Sequence, residues 1–215
     1  MRLVSSNERL VYIPDGNIRL EGSLGVPEGA KGVVLFAHGS GSSRHSPRNN
    51  FVAHVLQKAG LGTLLMDLLT RDEDIDYETR FDIELLSRRL RAATAWLRDE
   101  HETKDLRIGY FGASTGVAAA LKASVPEGDK VGAIVSRGGR PDLAMDALAG
   151  VKAPTLLIVG GRDDVVIELN RKAYSMIKAE KEFVIIPGAT HLFEEPGTLE
   201  EVASHAVRWF KKYLK

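Results

Sequence analysis

The chain has 215 residues, a length that fits one domain, and 44% of them are hydrophobic, enough for a sizeable core. Lysine plus arginine equals aspartate plus glutamate, 29 of each, and the net charge of zero removes the usual electrostatic case for binding nucleic acid. No cysteine is present, which excludes disulfides and thiol chemistry. The N-terminal stretch lacks the apolar core of a signal peptide, and no apolar run approaches the roughly 18 residues of a membrane helix. We therefore expect a single soluble, cytoplasmic domain over residues 1–215, with no membrane partner.

Strand-like and helix-like patterns alternate along the chain. Residues 18–26 alternate in polarity, which predicts an early, half-exposed antiparallel strand. Continuous apolar runs, typical of strands covered on both faces, lie at residues 33–37, 61–66, 106–111, 131–135, 155–159 and 183–186. Helical spacing is found at residues 49–59, 86–97, 114–124 and 199–214. This alternation predicts an α/β fold with a mostly parallel twisted sheet, helices on both faces, and a ligand site beyond the carboxyl ends of the strands.

The most distinctive motif is the G-x-S-x-G pentapeptide at residues 112–116, where an apolar run gives way to an alanine-rich helical run. A sharp turn between strand and helix would lift the side chain of Ser114 out of the sheet and expose its oxygen. Gly112 and Gly116 suit such a turn, because a bulky residue would clash where the strand and the helix crowd together. The alternative is that Ser114 is an ordinary helix N-cap.

Candidate acid and base residues follow two later strands. Asp163 comes after the run at 155–159, and His191 comes after the run at 183–186, so the chain order is serine, acid, histidine, as in α/β-hydrolases. His191 would take the proton from the Ser114 hydroxyl and give it to the leaving group. Asp163 would hold the imidazole in the required tautomer. Asp164 is the alternative acid, although the tight turn after the strand favours Asp163.

A glycine-containing loop, residues 38–43, follows the strand at 33–37. Acyl transfer needs donors for the negative oxygen of the tetrahedral intermediate, and two backbone N–H groups can supply them. We predict that these are the N–H groups of Ser40 and Thr115. We expect His38 to brace the loop by hydrogen bonding rather than to act as a base.

Charged side chains in the loops at the same edge offer a possible substrate-binding surface. The four arginines concerned are Arg44, Arg48, Arg137 and Arg140. They could hold an acidic substrate through bidentate contacts. The favoured alternative is that they pair with Asp142, Glu194 and Glu195 and stiffen the loops. His45 could line the site, and the charged stretch 71–78 is expected to be a solvated loop.

Only about twenty residues, with one short helix near 143–148, separate the strand at 131–135 from Thr155, so we expect no cap domain and a site open to small esters.

Several segments together resemble a known family, the small α/β-hydrolases without a lid that are described as dienelactone-hydrolase-like. The segments lie at residues 38–49, 112–116, 136–142, 160–163 and 191–197, and the resemblance spans residue 18 to the C-terminus. True dienelactone hydrolases carry a cysteine nucleophile, and this chain has none, so their lactone substrate is not carried over. A serine nucleophile implies carboxylesterase chemistry on small esters.

The sequence therefore predicts a serine carboxylesterase that acts on a small-molecule ester through an acyl-enzyme, with no metal and no cofactor. A thioesterase or a small peptidase could use the same residues, because one triad serves all three reactions. A hydrolase fold kept as a catalytically silent binding protein is the alternative of another class. The natural substrate is left open, and a homodimer is possible.

Overall fold

An eight-stranded sheet forms the centre of the molecule in the computed structural model, which describes residues 8–215. The strands are β1 (Arg9–Asp15), β2 (Ile18–Gly25), β3 (Gly32–Ala37), β4 (Gly62–Met66), β5 (Arg107–Ala113), β6 (Val131–Arg137), β7 (Thr155–Gly160) and β8 (Lys181–Ile186). Their order across the sheet is β1-β2-β4-β3-β5-β6-β7-β8. Strand β2 is antiparallel both to β1, at the edge of the sheet, and to β4, and the strands from β4 to β8 across the sheet are mutually parallel. The predicted mostly parallel sheet is confirmed.

Five α-helices cover the two faces of the sheet within the described residues. They are α1 (Pro47–Lys58), α2 (Ile83–Asp99), α3 (Gly116–Glu127), α4 (Asp164–Met176) and α5 (Thr198–Tyr213). Helices α1 and α5 pack on one face, and α2, α3 and α4 pack on the other. The strand β3 shows why both faces are needed. All six of its residues are buried, with Leu35 on the α2–α3 face and Phe36 on the α1–α5 face.

Three parts of the chain differ from the sequence-based expectations. Strand β1 and helix α4 were not predicted. The segment near 143–148 does not form the short α-helix that was expected there. It forms two 3₁₀ turns, Pro141–Ala144 and Leu148–Gly150, and short 3₁₀ turns of this kind are common as connections between longer elements. The charged stretch 71–78 contains the 3₁₀ turn Glu73–Ile75, and a second such turn, Thr79–Phe81, follows it.

The carboxyl-terminal edge of the parallel strands is open. Residues 138–154, between β6 and β7, contain only the two 3₁₀ turns, so no cap domain is inserted between these strands. Among residues 8–215, no helix combines the length and the hydrophobicity that a membrane crossing requires. The fold therefore places the loops that follow β3, β5, β7 and β8 beside one another on an uncovered edge.

Candidate active site

Ser114 lies in a strained turn between β5 and α3. Its φ angle is +50°, a left-handed backbone conformation that is uncommon for a residue other than glycine. The turn is held on both sides, because the Ser114 N–H donates to the Arg137 carbonyl (3.2 Å) and the Arg140 N–H donates to the Ser114 carbonyl (3.0 Å). Ser114 is not the N-cap of α3, since Thr115 occupies that position. The strained conformation therefore fixes the position of Ser114 and does not serve to cap the helix.

The flanking glycines are needed for close packing, as the sequence predicted. A Cβ atom on Gly116 would lie 2.2 Å from the Ala37 carbonyl oxygen, and one on Gly112 would lie 2.7 Å from Val117 Cα. Contacts this short with backbone atoms cannot be relieved by a side-chain rotation. The start of α3 therefore packs directly against the end of β3, and the loop at residues 38–43 continues from that end.

His191 and Asp163 are hydrogen-bonded. His191 Nδ1 lies 2.6 Å from Asp163 Oδ2, and the side chain of Asp163 is the more buried of the two, 15% exposed against 38%. The neighbouring residue Asp164 is the first residue of α4. The two loops pack closely, because a Cβ atom on Gly160 would lie 2.6 Å from the Thr190 carbonyl oxygen. With Nδ1–H donated to the carboxylate, the Nε2 atom is the one left to accept a proton.

Ser114 and His191 flank the same short segment at the end of β6. The Arg137 carbonyl accepts the Ser114 N–H, and a Cβ atom on the next residue, Gly138, would lie 3.1 Å from the His191 carbonyl oxygen. Within residues 8–215, no hydrogen bond joins the Ser114 hydroxyl to His191. Such contacts are often long in a free enzyme and shorten only when substrate is bound.

The loop after β3 contacts the serine directly. A Cβ atom on Gly39 would lie 3.0 Å from Ser114 Cβ, so only glycine lets the backbone come this close. The Ser40 N–H donates to Thr115 Oγ1 at 2.8 Å, and Thr115 is 3% exposed. The two predicted oxyanion donors thus belong to residues that are joined by a hydrogen bond. In this structure the Ser40 N–H is engaged by the Thr115 hydroxyl.

His38 connects this loop to the segment after β4 through its ring nitrogens. Its Nε2 atom accepts the Leu68 N–H at 3.0 Å, so the proton of the neutral ring is on Nδ1, which lies 2.9 Å from the Gly39 carbonyl oxygen. Burial lowers the pKa of His38, although the Gly39 carbonyl and Asp67 favour the charged form. Both ring nitrogens are used for structure, which leaves none free to act as a base.

Three of the four loop arginines are paired with acidic side chains. Arg140 Nε and Nη2 bind the two carboxylate oxygens of Asp142, each at 2.8 Å, and Arg48 Nη1 binds Glu194 Oε1 at 3.0 Å. Arg44 is bound by Asp67, a residue that was not singled out in the sequence, and by Glu21. Within the described part of the chain Glu195 forms no ion pair, and it accepts the Thr190 N–H at 3.0 Å.

Arg137 is the exception among these arginines. It is 8% exposed, and no carboxylate in the described part of the chain forms an ion pair with it. Its Nη2 atom lies 3.4 Å from Asn49 Oδ1, and its Nε and Nη1 atoms are buried without a partner. Burial, together with the charge of Arg48, lowers the pKa of Arg137 to about 10.

A polar cavity of about 220 Å³ opens next to the loop after β3. Its walls include His45, which the sequence singled out, and Asp67, Thr70 and Asp74, which it did not. The only signal for these acids was their position after β4, at the same sheet edge as Ser114. Among residues 8–215, no cluster of histidine and acidic side chains has an arrangement that could hold a metal ion.

The sheet order, the strained serine between β5 and α3, and the histidine–aspartate pair at the same edge define an α/β-hydrolase. The model of the dienelactone hydrolase family matches residues 20–215, and the chain belongs to this family. A crystal structure of dienelactone hydrolase from Anabaena variabilis is similar to it, with 56% identity, a TM-score of 0.95, and coverage of 98% of this chain and 99% of that one.

Other relatives are similar over different shares of their length. A protein of Mycobacterium tuberculosis strain H37Rv, with the provisional name phosphoribosyl transferase, is 56% identical over 204 residues. The match covers 95% of this chain and 46% of that protein, so this chain spans about half the length of that relative. The fold is shared with Est1E from Butyrivibrio proteoclasticus, at 17% identity, a TM-score of 0.81, and coverage of 94% of this chain and 98% of that one.

Proposed function

We propose that this chain hydrolyses small carboxylic esters through an acyl-enzyme formed on Ser114. The observation that carries the proposal is the 2.6 Å hydrogen bond between His191 and Asp163, at the same sheet edge as the strained serine. A histidine that is oriented by a carboxylate, at the same edge as a serine, is the arrangement that activates a hydroxyl as a nucleophile. Membership in a hydrolase family supports the same chemistry.

In the proposed reaction, His191 Nε2 accepts the proton of the Ser114 hydroxyl as its oxygen attacks the ester carbonyl. Asp163 stabilises the imidazolium that forms. The Thr115 N–H and the Ser40 N–H hold the negative oxygen, and the Ser40 N–H is shared between that oxygen and the Thr115 hydroxyl, which keeps the loop in position. His191 then gives its proton to the departing alcohol, and water releases the acid by the same steps in reverse order.

The open edge favours small, accessible esters as substrates. His45 would contact the substrate from the cavity beside the loop after β3. Arg140 would make a bidentate contact through Nε and Nη2 to an acidic substrate only by exchanging Asp142 for it, since both of these nitrogens bind Asp142. We place the enzyme in the cytoplasm, which suits a chain without cysteine.

The names of structural neighbours agree with ester hydrolysis but do not decide the substrate. A Pyrococcus furiosus protein with the same fold, at 20% identity and a TM-score of 0.77, is named an esterase. The transferase name of the mycobacterial relative belongs to a protein of which the match covers 46%. The proposal therefore rests on the arrangement of Ser114, His191 and Asp163 and not on the name of any relative.

Hydrolysis of p-nitrophenyl acetate and butyrate by the purified chain tests this proposal. We expect turnover by the wild type, and a loss of at least about 10³-fold in kcat for Ser114→Ala, because no other group can form the acyl-enzyme. Ser175→Ala, which removes a hydroxyl on the exposed side of α4, is the matched control and should keep wild-type activity.

Labelling with a fluorophosphonate probe, read by peptide mass spectrometry, identifies the nucleophile independently of the substrate. The label should lie on Ser114 and be absent from Ser114→Ala. A folded wild-type protein that neither takes the label nor hydrolyses an ester, a thioester or a peptide would contradict the proposal and indicate a binding protein.

A further inference from the structure

The guanidinium of Arg137 is a buried positive charge without a negative partner. Arg137 is the last residue of β6, is 8% exposed, and makes one long contact of 3.4 Å to Asn49 Oδ1. Its Nε and Nη1 atoms have neither solvent nor a hydrogen-bond partner in the described residues. Buried charges are normally paired, and buried donors are normally satisfied, because desolvation is costly otherwise.

The surroundings of Arg137 make this cost greater. Besides burial, the positive charge of Arg48, at the start of α1, lowers the pKa of Arg137. Arg48 also has a buried Nε atom without a partner, and its Nη1 atom binds the exposed carboxylate of Glu194. Arg137 and Arg48 together therefore have three buried guanidinium nitrogens without a hydrogen-bond partner.

The same place lies at the positive end of a helix. Arg48 and Asn49 belong to the first turn of α1, a helix of 12 residues, and Asn49 is the residue that Arg137 contacts. Helix N-termini favour negative charge, and the planar fork of arginine matches the oxygens of a phosphate or a carboxylate. A small anion would satisfy the unpaired nitrogens and offset the repulsion between the two cations.

We propose that Arg137 and Arg48, at the start of α1, form a binding site for a small oxyanion, a phosphate or carboxylate group. Glu194, whose side chain is 64% exposed, occupies part of this site through its bond to Arg48 Nη1. The unpaired nitrogens are closed off from solvent, so the anion reaches them when Glu194 turns outward. Because Glu194 follows His191 by three residues, the anion lies beside the loop that carries the proposed base.

Thermal unfolding of the full chain in buffered phosphate tests the site without any measurement of activity. We expect the wild-type Tm to rise with phosphate concentration and to saturate, by about 5 °C or more at one hundred times the Kd. Sodium chloride at matched ionic strength should give a smaller, unsaturated change. Arg137→Met should show no phosphate-dependent rise, and without phosphate its Tm should equal or exceed that of the wild type.

Two further variants separate binding from general effects of charge. Glu194→Gln removes the competing carboxylate and should lower the half-saturating phosphate concentration at least threefold. Arg171→Gln removes one exposed arginine on α4 and should respond to phosphate as the wild type does. If Arg137→Met does not fold, Arg137→Lys serves instead and should raise the half-saturating concentration about tenfold. Equal phosphate responses in wild type and the Arg137 variant, or no response beyond that to chloride, would overturn the site.

The source of the anion is a separate question that depends on the proposed esterase activity. If the site holds an acidic group of the substrate, phosphate will raise the KM of mono-p-nitrophenyl succinate and leave that of p-nitrophenyl acetate unchanged. If the site holds a free anion, phosphate will leave the KM of both esters unchanged. Both results require the phosphate-dependent Tm shift, so an inactive protein would not remove the site.

Discussion

Ser114 is held in its strained conformation by residues far from it in the chain. Its N–H is fixed by β6, its carbonyl by Arg140, and its Cβ atom lies against Gly39. A left-handed conformation costs a non-glycine residue about 1–3 kcal/mol and persists only where its surroundings determine it. The strained conformation therefore persists because β6, Arg140 and the loop after β3 fix the turn together.

The hydrogen bond between the Ser40 N–H and Thr115 Oγ1 supports a prediction at the same scale. Replacing Thr115 by valine keeps the shape of the side chain but removes the acceptor that anchors the loop. A neutral hydrogen bond contributes about 0.5–1.5 kcal/mol, so we expect kcat for p-nitrophenyl butyrate to fall about threefold to tenfold, with KM nearly unchanged.

Thr115→Ser is the matched control, because it keeps the hydroxyl and should stay within about twofold of the wild type. A Thr115→Val enzyme with wild-type kcat would show that the bond does not position the loop. A fall in Tm of the same size in both variants would point instead to loss of packing around a residue that is 3% exposed.

The candidate catalytic residues could be chosen from sequence because each follows a strand within a short motif. Ser114, Asp163 and His191 needed only a motif and an order along the chain. Their contacts could not be predicted in the same way. The acceptor of the Ser40 N–H is 75 residues away, and Asp67, which binds Arg44, was not among the acids expected to pair with the arginines. Such pairings depend on how the loops meet in three dimensions, which local patterns do not encode.

The same limit is seen for whole elements. Strand β1 buries only alternate residues, Val11 and Ile13, leaves Tyr12 exposed, and contains a proline, so its pattern is weak. Helix α4 carries an exposed valine, Val165, and a buried asparagine, Asn170, whose amide donates to the Gly139 carbonyl. The exposed valine and the buried asparagine interrupt the apolar stripe by which an amphipathic helix is predicted from sequence. The central strands, buried on both faces, had no such ambiguity.

The hydrogen bonds of His38 allow a prediction of how the stability of the fold depends on pH. His38 joins the end of β3 to the segment after β4 through Leu68, and it does so as the neutral ring. Burial lowers the pKa of His38 in the folded chain below its unfolded value of about 6.5. This contribution to stability is therefore complete above pH 6.5 and is lost as the pH falls towards the folded-state pKa. The loss has an upper limit of about 2 kcal/mol at pH 5.0.

Urea unfolding at pH 7.5 and at pH 5.0 measures this contribution. His38→Asn should be less stable than the wild type at pH 7.5, and it should lose less free energy of unfolding on going to pH 5.0. His54→Asn, at an exposed histidine of α1, is the control and should keep the wild-type difference. An equal pH dependence in His38→Asn and wild type would show that another group is responsible.

At the scale of the whole molecule, stability comes from two hydrophobic layers that share one sheet. One layer lies under α2, α3 and α4, and the other lies under α1 and α5. Many of the ion pairs are exposed, such as Arg171 with Glu168, and contribute little to stability. Because strands β3 to β7 supply side chains to both layers, we expect that neither layer unfolds alone.

The two tryptophans allow this to be tested, because they lie on opposite faces. Trp96 of α2 packs against the first layer, and Trp209 of α5 is 2% exposed in the second. Trp96→Phe and Trp209→Phe each leave a single tryptophan. If residues 1–215 form one cooperative domain, the urea transition followed by fluorescence should coincide with that followed by far-UV circular dichroism in both variants. A fluorescence midpoint that departs from the circular dichroism midpoint in either variant would show that one face of the sheet unfolds separately.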